Sequence, residues 1–302
     1  MSEYVLRTKD LTKKYSKNAA VDAVNLEVRK GDIYGFIGKN GAGKTTTIKM
    51  IAGLSKATSG EIELFESQDV LEGQKKIGTV IENPAFYPYM TARQNIEVQR
   101  IMKGISDKSI TDQLLEIVGL NHIGRKKAKN FSLGMKQRLA IAIALVGNPE
   151  FLLLDEPING LDPSGIKDLR ELILKLNKEA GITVLISSHI LSELTKFATC
   201  YGIIQNGKLV KQVTAEELSN VVKPTAEFVV SDAVKSCAIL KEVFHVDDAV
   251  VEGNSIFVEG FSEKWDVMKR FLEDNDIVVS GFNTKGEDVE EYFLNLMEGE
   301  QK

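Results

Sequence analysis

Gly38-Lys39-Asn40-Gly41-Ala42-Gly43-Lys44-Thr45 is the stretch from which this 302-residue chain is read. It fits G-x-x-x-x-G-K-[ST], a loop whose backbone amides cradle phosphate. The pattern fixes four positions only, so its neighbours decide its meaning. Asp32-Ile33-Tyr34-Gly35-Phe36-Ile37, ahead of it, is a short apolar run that predicts a buried strand. Thr46-Thr47-Ile48-Lys49-Met50-Ile51-Ala52, behind it, predicts a helix ended by Gly53. A strand, a glycine turn and a helix start aim several N–H groups and the positive end of the helix dipole at one spot. Gly41 and Gly43 let the backbone approach an anion without Cβ clashes. Lys44 is expected to reach the β- and γ-phosphates, and the Thr45 hydroxyl to bind Mg²⁺. Lys39, Asn40, Ala42 and Thr46 complete the nucleotide loop. The plain alternative, a Gly-rich turn with a solvated lysine, is countered by the strand and helix.

The length allows one large domain and a small one. Apolar content of 43% and charged content of 27% are ordinary for a globular protein. There is no run of 18 apolar residues to span a bilayer, and the patch from Leu139 to Gly147 is short enough to be a core helix. The N-terminus has no apolar signal region, which argues against secretion. Cys200 and Cys237 lack metal or redox spacing and are expected to be buried thiols. The net charge of −5 is unevenly spread. Residues 223–302 carry 8 Lys and Arg against 18 Asp and Glu, whereas residues 1–222 carry 30 against 25. So acidic a tail repels phosphate backbones, and no nucleic-acid partner is expected.

Taken in order, Val5–Arg7 and Ala23–Val28 alternate with period two and predict antiparallel strands. Tyr15 lies in the connection between them. An aromatic there can stack on a purine, worth roughly 1–3 kcal/mol in other nucleotide contacts, or simply pack half-buried. Glu61–Phe65 and Ile77–Ile81 predict strands, the second running out at Glu82-Asn83-Pro84. Residues 84–90 predict an exposed aromatic loop, and Thr91 a helix cap. Within the helical region to about residue 147, Lys126–Lys129 is a basic run, and Phe131–Arg138 opens an apolar helix with Ser132 as its N-cap. Phe151-Leu152-Leu153-Leu154-Asp155-Glu156-Pro157 predicts a central parallel strand that delivers two acids to its C-terminal edge. Burying them without a cation is costly, so Asp155 is expected to serve a metal and Glu156 a water. Asn159–Pro163 predicts a turn, with a helix from 164 to 178. Gly181–Ser187 predicts a strand presenting Ser188 and His189, followed by a helix over 190–199. Tyr201–Val210 is a hairpin with an Asn206-Gly207 turn, and Thr214–Glu217 a capping box.

Lys223-Pro224 marks a boundary between domains 1–222 and 223–302. Beyond it the pattern predicts strand 226–230, helix 232–243, strands 247–252 and 255–259, helix 262–274, strand 277–282 and helix 287–297. This β-α-β-β-α-β order points to a small ferredoxin-like α+β domain with one extra helix.

Five features stand in one order: Gly38–Thr45, Glu82, Phe131-Ser132-Leu133-Gly134-Met135, Asp155-Glu156 and His189. Over residues 1 to about 220 this resembles the ATP-binding cassette (ABC) ATPase family. The resemblance implies an α/β P-loop NTPase with a mixed sheet core, an antiparallel β subdomain and a helical subdomain. It also implies a head-to-tail, ATP-dependent dimer, a homodimer or a pair with a similar cassette. Each ATP then touches the phosphate loop of one copy and Ser132 and Gly134 of the other. By the same resemblance Tyr15 stacks on adenine, Thr45 and Asp155 serve Mg²⁺, and Glu156 is the general base. His189 contacts the γ-phosphate, and Asp162 crosses the interface.

Two departures narrow the resemblance. The usual signature is Leu-Ser-Gly-Gly-Gln, and here Leu133 and Met135 replace the first Gly and the Gln. Glu82 stands where most cassettes carry a Gln that meets Mg²⁺ and the attacking water, which makes it a further catalytic and metal candidate. With the added C-terminal domain, these features are similar to the bacitracin-resistance and lantibiotic-immunity subgroup. That implies export of a peptide antibiotic through integral-membrane subunits on a separate chain, with the cassette at the cytoplasmic face of a bacterial membrane. Pro84–Arg93 is then expected to help dock a membrane subunit. The competing expectations are an ABC exporter ATPase for another hydrophobic cargo, a soluble ABC ATPase acting on ribosomes or DNA, and a nucleotide sensor without catalysis.

Overall fold

The computed structural model describes residues 3–67, 69–82, 86–221, 225–246 and 249–285, and residues 292, 293 and 296. Contacts divide the chain into Met1–Ala215 and Glu216–Lys302. In chain order the first unit runs β1 (Tyr4–Tyr15), β2 (Asn18–Val24), β3 (Glu27–Arg29), β4 (Ile33–Ile37), α1 (Lys44–Ile51), β5 (Ser59–Leu64), α2 (Val70–Lys75) and β6 (Ile77–Val80). It continues with α3 (Ala92–Met102), α4 (Ser109–Ile117), α5 (Leu133–Leu145), β7 (Phe151–Asp155), α6 (Pro163–Ala180), β8 (Thr183–Ser188), α7 (Leu191–Leu194), β9 (Cys200–Gln205) and β10 (Lys208–Thr214). Helix α8 (Ala215–Val221) lies at the division.

Every residue of β4, β7 and β8 is buried, as expected for strands covered on both faces. They form the centre of a six-stranded sheet in the order β10-β9-β4-β8-β7-β6. All neighbours are parallel except β10, which turns back on β9 through Asn206-Gly207. Registers Ile37↔Ser188 and Asp155↔Ser187 bring the C-terminal ends of β4, β8 and β7 level. The sheet order therefore gathers Gly38, His189, Asp155 and Glu156 on one edge from distant parts of the sequence.

A second, antiparallel sheet is built on β1, which pairs with β2, β3 and β5. Here the structure departs from the two short strands expected. Strand β1 is much longer and ends at Tyr15, so Tyr15 closes a strand instead of lying in a loop. Residues 23–28 are split between β2 and β3 at Asn25-Leu26. The split is held by buried Thr8, whose hydroxyl donates to the Val24 carbonyl (2.8 Å) and accepts from the Leu26 N–H (2.8 Å). Period-two alternation does not register such a side-chain bridge. The two sheets share a core that includes Leu6, Leu11, Val28, Phe36, Ile48 and Leu153.

Helix α3 starts at a capping box in which Thr91 and Gln94 satisfy each other's backbone N–H groups. Helix α5 begins at Leu133 with Ser132 as N-cap. The helix expected over 190–199 is only Leu191–Leu194, because the chain breaks into turns before Thr199 docks by its N–H on the Ile33 carbonyl (2.8 Å). The Thr195 hydroxyl donates to the Ser192 carbonyl (3.2 Å), a local bond that competes with helix propagation.

The second unit comprises β11 (Thr225–Val230), α9 (Ala233–Phe244), β12 (Val250–Glu252), β13 (Ser255–Glu259), α10 (Trp265–Asp274) and β14 (Val279–Lys285). Its sheet order, β12-β13-β11-β14 with all neighbours antiparallel, is the ferredoxin-like arrangement. Ala226, Phe228, Ile256 and Val258 pack against Leu240, Met268 and Leu272 of the helices. The start of the expected strand 247–252 and most of the expected helix 287–297 lie outside the described residues.

Candidate functional site

The phosphate loop leaves β4 at Gly38 and enters α1 at Lys44. Two of its glycines are required by close approach. A Cβ on Gly38 would meet the Ile204 carbonyl oxygen at 2.4 Å, and one on Gly43 would meet the Ala20 carbonyl oxygen at 2.6 Å. Gly43 also has φ 112°, which L side chains rarely adopt. Lys39, Asn40 and Gly41 are exposed at the tip, while Ala42 is buried and Thr46 half-buried.

Lys44 is 5% exposed. Its ammonium donates to the carbonyls of Gly38 (2.6 Å) and Lys39 (3.3 Å) and lies 3.0 Å from Glu156 Oε1. The next residue reaches the other acid: Thr45 Oγ1 donates to Asp155 Oδ2 at 2.7 Å. Asp155 is 4% exposed, and its Oδ1 accepts from Ser187 Oγ at 2.6 Å. Ser187 Oγ in turn accepts the Glu156 N–H at 2.9 Å. His189 Nδ1 stands 2.8 Å from Glu156 Oε2. Glu156 Oε1 accepts no hydrogen bond and has only the charge contact with Lys44. Phosphate loop, both strand-end acids and His189 thus form one contiguous cluster.

Glu156 has φ 48° and Glu82 has φ 56°. A carboxylate residue in the left-handed region costs of order 1–3 kcal/mol and persists where the surroundings hold it, which is typical of functional positions. Glu82 lies two residues past β6. Its Oε1 is 2.5 Å from Lys49 Nζ on α1. This hydrogen bond holds the Lys49 ammonium above the ordinary lysine range. Glu82 is therefore bound to Lys49 here and not to the Thr45–Asp155 pair.

Tyr15 is 55% exposed, with Lys13 Nζ 5.1 Å from its ring centroid. Ser132 Oγ accepts the Met135 N–H (3.3 Å), and Asp162 caps α6 by accepting the Gly165 N–H (3.2 Å). Ser132, Gly134 and Asp162 line a cavity of about 750 Å³ together with Lys126, Arg138 and Gln137. No phosphate-loop residue, nor Asp155, Glu156 or His189, lines it. Gln137 is 6% exposed, and its Oε1 has no hydrogen-bond partner. Thus the structure joins Gly38–Thr45, Asp155, Glu156 and His189 and keeps Ser132, Gly134 and Asp162 apart from them.

Sequence reasoning missed Ser187 and Lys49. Ser187 was visible as a small polar residue ending a buried strand next to Asp155-Glu156. Lys49 had a helical signal, being four residues after Thr45, but its partner Glu82 is 33 residues away.

Among the described residues no group of three or more His, Cys, Asp or Glu forms a metal cage. Thr45 and Asp155 instead offer a hydroxyl and a carboxylate in contact. Hard oxygens few in number suit Mg²⁺, which keeps waters and phosphate oxygens as its remaining ligands.

A family model described as ABC transporter matches residues 21–159. The bacitracin transport ATP-binding protein BcrA of Bacillus licheniformis is 43% identical over 98% of both chains. The lantibiotic transport ATP-binding protein SrtF of Streptococcus pyogenes is 45% identical over 68% of this chain and 89% of its own. Among solved structures, the dimeric post-hydrolysis state of the ATP-binding cassette MJ0796, bound to ADP and Pi, superposes with a TM-score of 0.63. It is 27% identical and covers 70% of this chain and 98% of MJ0796. With the phosphate loop, strand-end acids and histidine arranged as above, the chain belongs to the ATP-binding proteins of ABC transporters.

Proposed function

We propose that this ABC ATPase energises export of a peptide antibiotic and works as an ATP-dependent head-to-tail homodimer. In this reading it is bound to integral-membrane subunits carried on another chain, at the cytoplasmic face of a bacterial membrane. The observation that carries the dimer is the separation of the two half-sites. No phosphate-loop residue lines the Ser132–Gly134 cavity, which supports a reading in which a second copy supplies that cavity to a nucleotide on Gly38–Thr45. The cargo reading is supported by likeness to a bacitracin and a lantibiotic transport protein. Among the described residues no helix is long and apolar enough to cross a membrane, so the reading takes the spanning part from partners. Tyr87 and Tyr89, both exposed, would contribute to docking them.

The backbone N–H groups of the phosphate loop and Lys44 bind the phosphates, and Tyr15 offers its ring to the adenine. Thr45 and Asp155 would hold Mg²⁺, which supplies positive charge to the phosphate oxygens. Glu156 Oε1, free of hydrogen bonds, takes a proton from the attacking water, while His189 at Oε2 fixes the carboxylate's direction and Ser187 holds the Glu156 backbone N–H. Catalysis is then mainly positioning and charge neutralisation. Ser132, the N-terminal amides of α5 and Gly134 close on the partner's γ-phosphate, and Asp162 meets the partner across the interface.

Glu156→Gln tests this. Loss of the general base is expected to slow hydrolysis by about 10²–10⁴-fold. ATP binding should remain, and an ATP-bound dimer should accumulate in light scattering after size exclusion. A strictly monomeric variant at saturating ATP would sink the dimer reading. For the cargo, deletion of the gene is expected to lower the host's resistance to bacitracin or a lantibiotic, and unchanged resistance to both would exclude it.

A further inference from the structure

Helix α1 makes two side-chain ties to neighbouring strand ends. Thr45 and Lys49 are four residues apart and so lie on one helix face. Thr45 reaches Asp155 at the end of β7, and Lys49 reaches Glu82 just past the end of β6. Strands β6 and β7 are parallel and paired up to Val80↔Leu154, and Glu82 and Glu156 each follow two residues past that pair. Three carboxylates, those of Glu82, Asp155 and Glu156, therefore crowd two adjacent strand ends. Two ammonium groups oppose them: Lys44, 3.0 Å from Glu156, and Lys49, 2.5 Å from Glu82. Asp155 has only hydroxyl partners, Thr45 and Ser187, and is the acid left to a divalent cation.

We propose that Lys49 is a positioning residue that holds the Glu82 carboxylate away from the Thr45–Asp155 cation site, so that the Lys49–Glu82 pair sets how tightly a divalent cation binds with the nucleotide. This rests on the reading that Thr45 and Asp155 hold that cation. The side chains of Lys49 and Glu82 are 33% and 62% exposed. A pair this exposed shifts an equilibrium by no more than about fivefold, so it tunes the site and does not lock it. With Lys49 removed, Glu82 is free to turn toward the cation and add a negative ligand. Lys49 and Thr45 share one face of α1, so the Glu82 carboxylate that Lys49 holds lies on the same helix face as the Thr45–Asp155 contact.

The test is a Mg²⁺ titration of fluorescent ATP-analogue binding to the full-length chain, in the Glu156→Gln background so that turnover does not intervene. Lys49→Met is expected to lower the Mg²⁺ concentration at half-maximal binding about 3–5-fold. Lys49→Arg should keep the original value. In a chain that also carries Glu82→Gln, Lys49→Met should no longer shift it. An equal shift with and without Glu82→Gln would mean a general charge effect and overturn the proposal, as would no shift with Glu82 present. If Lys49→Met fails to fold, as judged by its thermal transition, Lys49→Gln carries the same expectation. The underlying reading fails separately: nucleotide binding indifferent to Mg²⁺, or a titration unaltered by Asp155→Asn, removes the cation site itself.

Discussion

At the strand ends of the six-stranded sheet, the acids Asp155, Glu156 and Glu82 each have partners inside the chain. The face carrying Ser132, Gly134 and Asp162 instead borders a cavity also lined by Gln137, whose buried side-chain amide oxygen is unpartnered. The first region is held by tertiary contacts among four strand ends and a helix. The second consists of two helix N-termini whose capping oxygens already serve their own backbones. The difference suggests which parts of the chemistry one chain can perform alone. Under the proposed function, nucleotide binding needs only the first region, and hydrolysis needs a second copy brought to the second.

Lys44→Ala should have the largest effect. It removes the ammonium from the phosphate loop and leaves half-buried Glu156 without its charge partner. Nucleotide affinity is then expected to fall at least ~100-fold in a fluorescence titration. An affinity close to the original would show that the strand-end region does not carry binding. Gly134→Asp addresses the other region. Placing a carboxylate at the cavity should cut hydrolysis about 100-fold, the scale seen when one transition-state donor is lost. Binding of nucleotide by the monomeric chain should be unchanged. If binding falls in parallel, the two regions are not functionally separate.

Ser187→Ala sharpens the picture within the first region. The hydroxyl donates to Asp155 and accepts from the Glu156 N–H, so its loss leaves a buried donor unmet at a cost of about 1–3 kcal/mol. Calorimetry should show a thermal midpoint lower by several degrees, and a midpoint equal to that of the original chain would deny the bridge its structural role. The smallest effect is a control lying in neither region. Glu97 is held at a pKa of about 2 by the Arg100 guanidinium, with a further bond from Thr111. Its folded pKa is below the ordinary value, so the pair stabilises fully above about pH 4.5. That contribution is lost as the pH falls through about 2. Glu97→Gln should flatten this part of the acid-stability curve while leaving ATP hydrolysis at neutral pH intact. An acid limb as steep as the original's would refute the assignment.

Much of the site was legible because its residues are dictated locally. Gly38 and Gly43 are demanded by backbone approach, and the all-apolar run before Asp155 by burial on both faces. Ser132 as a cap follows from a hydroxyl ahead of an apolar helix. The short α7 and the split near Asn25 were not legible, because each depends on a distant hydrogen bond: Thr199 to the Ile33 carbonyl, and Thr8 across Val24 and Leu26. The Lys49–Glu82 and Ser187–Asp155 contacts were hidden for the same reason. Each joins residues more than thirty positions apart whose types alone, a lysine or a serine, are unremarkable.

The residue pattern alone pointed to a phosphate loop at Gly38–Thr45, to Asp155 and Glu156 at the end of a central strand, and to a small α+β unit after them. These are matters of backbone sterics, burial and periodicity, all encoded within a few residues. Only the tertiary structure decided which lysine faces which acid and that Ser187 ties Asp155 to Glu156. It also decided that the Ser132 cavity is separate from the chain's own phosphate loop. Those outcomes depend on strand order and register, which the sheet as a whole fixes and no single segment contains.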